Sequence, residues 1–488
     1  MSLKTEIAGN NIIFTAGNLI AAVIAFVTSI LLARYLGPEG FGLYSMVLVV
    51  SGIFIVFTDF PTGSAITRFS SFFLGKKQIG KIKMLIKYLL KLRIISTVSI
   101  GMILILLPSQ ISIYIFNKPG IDFVILASGI LILTNSFIEF SIGFFNGVGA
   151  FRKIVTIRIV EKINKFVFPI AFVLIGMGYL GAIFGILVAS LMALLLVVGI
   201  WLKKYIFIFR TKVSTIDKKM IWEFGLWSFI SAVAITLFSM VDSFMISVLG
   251  TVPEVGFYRI AVTWTYTITT LIPLSGFVMY SYFSRKQKKQ YLSNIFSSSL
   301  FYTSMMVFPL SFLLSAFAGP IIEIFYGQSY IQSANVLTIL GLSAIPLVIG
   351  AVIIAYFSGI NRPDITTKIV SFSLIINAVL NYVLIINMGI IGAAIATLIA
   401  LIVEIVIMFV VVAKITGVTC KFAYLYKPLL ASCIMYYITT FFVASNLLEL
   451  IVYGIISALI YIGIMLLIRG MGMKDIQDIL RLFRSGLR

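Results

Sequence analysis

The chain has 488 residues, of which 61% are hydrophobic and only 11% charged, against about 45–50% and about 25% in an average soluble protein. The apolar runs recur along the whole length, which excludes a water-soluble domain and calls for an apolar solvent. The formal net charge of +21 would suggest nucleic acid in a soluble chain, but here the basic residues sit in short loops between apolar runs, so they report topology rather than a nucleic-acid partner.

Runs of about 20 mostly apolar residues cross a bilayer as helices. Such runs fall near 12–34, 41–66, 88–107, 122–145, 160–178, 180–201, 224–249, 257–282, 295–317, 333–357, 367–387, 390–413, 428–447 and 451–468. The predicted fold is therefore an all-α polytopic membrane protein with about fourteen transmembrane helices. The first run is longer than the roughly 7–15 apolar residues of a signal peptide, so it reads as a span.

With an even span count both termini share a side, and 34 of the 37 Lys and Arg fall on it, Arg68, Arg93, Arg158, Lys162 and Lys165 among them; the other side holds only Arg34, Lys118 and Arg259. The basic side is predicted to be cytoplasmic, in the cell (plasma) membrane. Cys420 and Cys433 fall at different depths, which disfavours a disulfide. With no histidine, most metal sites and every histidine acid–base relay are excluded; no cofactor or metal is expected. After the last span, 469–488 places Ile476, Ile479, Leu480, Phe483 and Leu487 at helical spacing among basic residues, the pattern of an amphipathic tail on an anionic leaflet.

The two halves resemble each other. Leu36-Gly37-Pro38-Glu39-Gly40-Phe41-Gly42-Leu43-Tyr44 parallels Leu249-Gly250-Thr251-Val252-Pro253-Glu254-Val255-Gly256-Phe257-Tyr258. Gly147 aligns with Gly359, and Gly178-x-x-Gly181-Ala182 with Gly389-x-x-Gly392-Ala393. The expected organisation is a six-helix lobe over 1–201, a cytoplasmic linker over 202–221, a second six-helix lobe over 222–413, appended helices 13 and 14 within 414–468, and the tail. An even number of spans per repeat predicts a pseudo-twofold axis along the membrane normal.

The segment from Leu32 to Tyr44, leading to Asp59 and Arg68, resembles the opening of polysaccharide-biosynthesis flippases, the Wzx-type oligosaccharide repeat-unit flippases. Asp242 to Gly250, followed by Val255-Gly256-Phe257-Tyr258, resembles their seventh-to-eighth span signature. The superfamily includes MATE exporters and lipid II flippases. The resemblance implies alternating access about a cavity lined by spans 1, 2, 7 and 8, acting as a monomer among membrane lipids. It implies a substrate with a polyprenyl or dolichyl tail, a phosphate or pyrophosphate and an oligosaccharide head, and possible coupling to a proton or sodium ion.

Charges at membrane depth cost roughly 2.5–3.5 kcal/mol each on insertion scales, so they are paired, face a cavity or act. Asp59 in span 2 and Asp242 in span 7 are candidates for a coupling ion or a helix-packing pair. Arg259 at the start of span 8 suits a phosphate or a surface pair with Glu254. Arg68, at the inner end of span 2, suits an arriving pyrophosphate or a topological anchor. Glu139 and Glu404 read as packing pairs. Glu161, Lys162 and Lys165 read as a structural cluster opening span 5, with Glu161 and Lys165 paired at i,i+4. Deep charges thus lean acidic, which weighs against the markedly cationic cavity of lipid II flippases. Pro61, Gly63, Pro273, Gly276 and Pro346 are expected bend points, and Trp222 and Trp227 interfacial anchors. A cation-coupled multidrug exporter of the same fold is the alternative function. An enzyme is disfavoured, because no large outer loop, phosphate loop or nucleophile motif is present.

Overall fold

The computed structural model describes residues 3–212, 214–272, 283, 289–418 and 423–471. Pro273, Gly276, Cys420 and the tail from 472 onward lie outside them. The described residues are helical throughout apart from short turns: α1 (Leu3–Thr58), α2 (Gly63–Gly75), α3 (Ile79–Leu106), α4 (Pro108–Tyr114), α5 (Asp122–Gly147), α6 (Phe151–Phe172), α7 (Gly178–Lys204), α8 (Ile206–Arg210), α9 (Lys218–Leu249), α10 (Val252–Leu271), α11 (Lys289–Ala316), α12 (Ala318–Tyr326), α13 (Gln332–Gly359), α14 (Pro363–Thr416), α15 (Ala423–Thr439) and α16 (Leu447–Leu467).

Nine of the described helical stretches are long and apolar enough to cross a membrane. Three are double. The first turns at Gly37 (φ 67°), the α6–α7 stretch at Gly176 and Gly178 (φ 94° and 56°), and α14 at Gly389 (φ 59°). A side chain disfavours positive φ, so glycine sits where these paired spans reverse direction. Counting those pairs and adding α10 and α15 gives the expected fourteen. The outward faces are apolar: on α16, Leu448, Ile455, Leu459 and Leu467 are exposed, as a helix in lipid requires. The chain is a multi-pass membrane protein.

Two compact units divide at Gly256. In the first, residues 1–256, a core of Ile66, Phe69, Ile86, Leu89, Phe144 and Trp201 joins α2, α3, α5 and α7. The α9 helix belongs to this unit. Its N-terminal part meets Phe60, whose ring stands edge-on to Trp222 and Phe229. Trp222 thus packs against Phe60 beyond the interfacial role its type suggested. Toward its C-terminal end, Phe116 faces Phe244, and Lys118 Nζ donates to the Ser247 and Val248 carbonyls at 2.7 and 3.3 Å. A cation there satisfies the unpaired carbonyls of the helix C-terminus and complements its dipole.

In the second unit, residues 257–488, α15 and α16 dock on α11. Met305, Met435, Tyr461 and Met465 form the contact, Tyr461 donates to the Met305 carbonyl at 3.2 Å, and Thr439 donates to Ser457 at 2.9 Å. The free Cys433 on α15 is exposed.

Candidate functional site

Span 2 does not run unbroken to 66 as its apolar content suggests. The α1 helix ends at Thr58 and α2 begins at Gly63. The turn between contains Pro61, so the bend falls at that expected proline. Asp59 opens the turn, where its backbone carbonyl accepts from the Thr62 and Gly63 amides.

Asp59 is ion-paired with Arg93 of α3. The guanidinium is 3% exposed and the carboxylate 31%, so one partner is sealed in protein while the other keeps a solvent-accessible edge. Arg93 Nε donates to Ser136 Oγ at 2.7 Å and Nη1 to Thr62 Oγ1 at 3.1 Å. Ser136 shares a hydrogen bond with Thr97 at 2.7 Å and donates to Thr58 at 3.1 Å. Charge and hydrogen bonds together offset the cost of burying a guanidinium, which neither does alone. Arg93 was counted above with the loop cations. It lies instead in the interior of α3, which begins at Ile79 rather than near 88. The structure therefore brings together α1, α2, α3 and α5 around one buried pair.

The other candidates are placed as follows. Arg68, on α2, lies over the Phe224 ring at 4.1 Å and beside Phe69 at 5.8 Å, a cation–π anchor of α9. Asp242 is buried in α9, 6% exposed. Arg259 lies on α10 in the second unit, where its carbonyl accepts from Thr263 at 2.8 Å. Glu254 accepts from the Thr251 amide at 2.6 Å and its hydroxyl at 3.0 Å, closing the turn that opens α10. Asp59, Arg68 and Asp242 share the first unit, and Arg259 belongs to the second.

The α6 helix carries further charges besides the deep ones the sequence singled out. That helix begins at Phe151, not near 160, which moves Arg158 from a loop into a helix and draws Lys162 and Lys165 well inside it. Glu139 pairs with Arg158 at 3.9 Å and Glu161 with Lys165 at 2.5 Å. Together with Arg93, these bases outweigh the carboxylates around them. The i,i+4 pair was legible in the sequence; the start of the helix at Phe151 was not, because Arg152, Lys153 and Arg158 lower the local hydropathy. Glu404 is buried in α14. Among the described residues no group of histidine, cysteine and carboxylates is arranged to hold a metal ion.

The profile of the family described as "Polysaccharide biosynthesis protein" matches residues 7–287, more than half of the chain. The protein belongs to this family. It is similar to the probable low-salt glycan biosynthesis flippase Agl15 of Haloferax volcanii, at 23% identity over 406 residues, 80% of each chain. Its fold resembles that of the lipid II flippase MurJ in an inward closed conformation, with a TM-score of 0.74, 18% identity, and 92% of this chain and 98% of that one covered. It also resembles an inward-facing multidrug resistance MATE transporter, with a TM-score of 0.65, 16% identity, and 81% and 96% covered. The relative is named as a probable flippase, and the two folds are those of a flippase and a transporter.

Proposed function

We propose that the protein moves a polyprenyl- or dolichyl-linked oligosaccharide, through its phosphate or pyrophosphate, from the cytoplasmic to the outer leaflet by alternating access, for cell-surface glycan synthesis. The membership of residues 7–287 in a polysaccharide-biosynthesis family carries this reading, and the likeness to a glycan biosynthesis flippase over 80% of the chain supports it. In the reading, both termini are cytoplasmic in the plasma membrane. Two six-helix halves, 1–201 and 222–413, are related by a pseudo-twofold axis along the membrane normal. Asp59, Arg68, Asp242 and Arg259 serve the substrate or a coupling proton or sodium ion.

The exporter reading shares the fold. What favours the flippase over it is the reach of the likeness: the lipid II flippase covers 92% of this chain and the MATE transporter 81%. The helices beyond 413 are a natural place for a long lipid tail, because α15 and α16 present continuous apolar faces. Deletion of the gene tests the function. The reading expects surface glycan to fall and lipid-linked oligosaccharide to accumulate, with both restored by the intact gene. Unchanged glycan with new sensitivity to cationic drugs would favour the exporter.

A further inference from the structure

We propose that the face of α6 bearing Arg158, Lys162 and Lys165 is an anion site that takes the phosphate or pyrophosphate of a lipid-linked substrate, with Lys162 as the cation that meets it. The proposal rests on the flippase reading above and places its charged group on residues which that reading did not use.

The first observation is depth. The helical path runs on from α6 through 173–177 to the turn at Gly176 and Gly178. Lys162 lies fourteen residues before Gly176, about 21 Å along the axis and so within a roughly 30 Å hydrocarbon core.

The second is direction. Side chains at i, i+4, i+7 and i+11 share one helix face, and Arg158, Lys162, Lys165 and Pro169 stand at that spacing. Pro169 is buried, and a side chain on Gly185 of α7 would collide with it. Val155, on the same face, is buried where Gly17 of α1 approaches it. The opposite face holds Ile163 and Val167, both exposed, as lipid-facing residues are. Lys162 and Lys165 therefore point toward protein, on a face shared with contacts to α1 and α7, and Arg158 stands at its more open end, 39% exposed.

The third is charge. Arg158 has Glu139, and Lys165 has Glu161. Lys162 sits among all four yet forms no ion pair or hydrogen bond of its own with the side chains described, those of 3–16 and 18 on α1 not being among them. Among the described side chains, three bases face two carboxylates, an excess of one positive charge within the span. Such a charge is retained when a cavity hydrates it or an anion meets it. A phosphate group supplies the missing charge and accepts from several ammonium and guanidinium donors at once.

Binding by the full-length chain in phosphatidylcholine nanodiscs tests this, with geranylgeranyl pyrophosphate as the probe and geranylgeraniol as its uncharged control. The intact protein is expected to prefer the pyrophosphate by about tenfold or more, a preference that K162M removes and K162R keeps. Glu139→Gln frees Arg158 and is expected to tighten pyrophosphate binding, which keeps the test open if K162M folds poorly. Unchanged preference in K162M, or unchanged or weaker binding in E139Q, overturns the proposal. So does loss of the probe when phosphatidylglycerol replaces a third of the lipid, since the site would then belong to bulk anionic headgroups. If Lys162-dependent binding holds while gene deletion leaves surface glycan intact, the flippase reading fails and the anion site stands.

Discussion

Arg93 and Asp59 form a buried ion pair between the middle of α3 and the break that separates α1 from α2. The pair is asymmetric, with the guanidinium sealed and the carboxylate partly open. This asymmetry sets the order of two mutations. Asp59→Asn strands a buried positive charge, whereas Arg93→Met leaves a carboxylate that water can still reach. Removing one partner of a buried pair costs about 3–5 kcal/mol, while replacing both by uncharged groups is often neutral. Thermal unfolding in detergent should rank D59N below R93M, with the double variant at or above R93M. A D59N protein as stable as the parent would contradict this account of the pair.

Lys118 offers a second test, at the C-terminal end of α9. Its side chain bridges to the Ser247 and Val248 carbonyls, so Lys118→Met should destabilise the first unit by about 1–2 kcal/mol, because both carbonyls lose their hydrogen-bond donor. Burial lowers the Lys118 pKa below its ordinary 10.5, and Glu254 acts in the opposite sense. Unfolded chain then binds more protons than folded chain between the lowered value and 10.5. Lys118 therefore contributes a stability increment that grows as pH rises through that window. The slope of unfolding stability against alkaline pH should flatten in K118M; an identical slope would remove the residue from the account.

Close packing of α9 against the Pro61 turn can be tested at Gly225. A side-chain carbon there would come 2.3 Å from the Pro61 carbonyl oxygen, so Gly225→Ala forces backbone apart and should cost about 1–3 kcal/mol. Gly199 and Gly454 have nothing within 4 Å of the added carbon. Alanine at either is expected to be neutral or to stabilise by up to about 1 kcal/mol. Equal effects at all three positions would refute the close approach.

Topology is tested by labelling single cysteines in a variant free of Cys420 and Cys433. Gln328→Cys, in the turn between α12 and α13, should react with an impermeant maleimide added to intact cells. Thr211→Cys, after α8, should react only after permeabilisation. The reverse pattern would invert the proposed orientation.

Much of the fold was legible because membrane helices are written in composition. Fourteen apolar runs, with glycines at Gly37, Gly178 and Gly389 marking the reversals, are local signals that survive without tertiary information. The limits of α3 and α6 were misplaced for one physical reason: Lys81, Lys83, Lys87, Arg158 and Lys162 are helical residues whose charges lower the local hydropathy. The partnership of Asp59 with Arg93 was hidden differently. It joins residues 34 positions apart on separate helices, and no spacing rule fixes the rotation of one helix against another. Asp59 itself stood out as a costly charge at depth, but Arg93, near the start of the 88–107 run, reads as one of the topological bases. The α6 face was masked in the same way, since three bases beside two acids read as a solvated helix entry until the helix start moved to Phe151.

The central claim, that this chain carries lipid-linked oligosaccharide outward, is tested most directly by where that lipid resides. In intact cells, the fraction of lipid-linked oligosaccharide open to an impermeant glycan-modifying reagent reports the outer-leaflet pool. The account predicts that this fraction falls to background when the gene is deleted and returns with the intact protein, while the total pool rises. An outer fraction unchanged by deletion would contradict it.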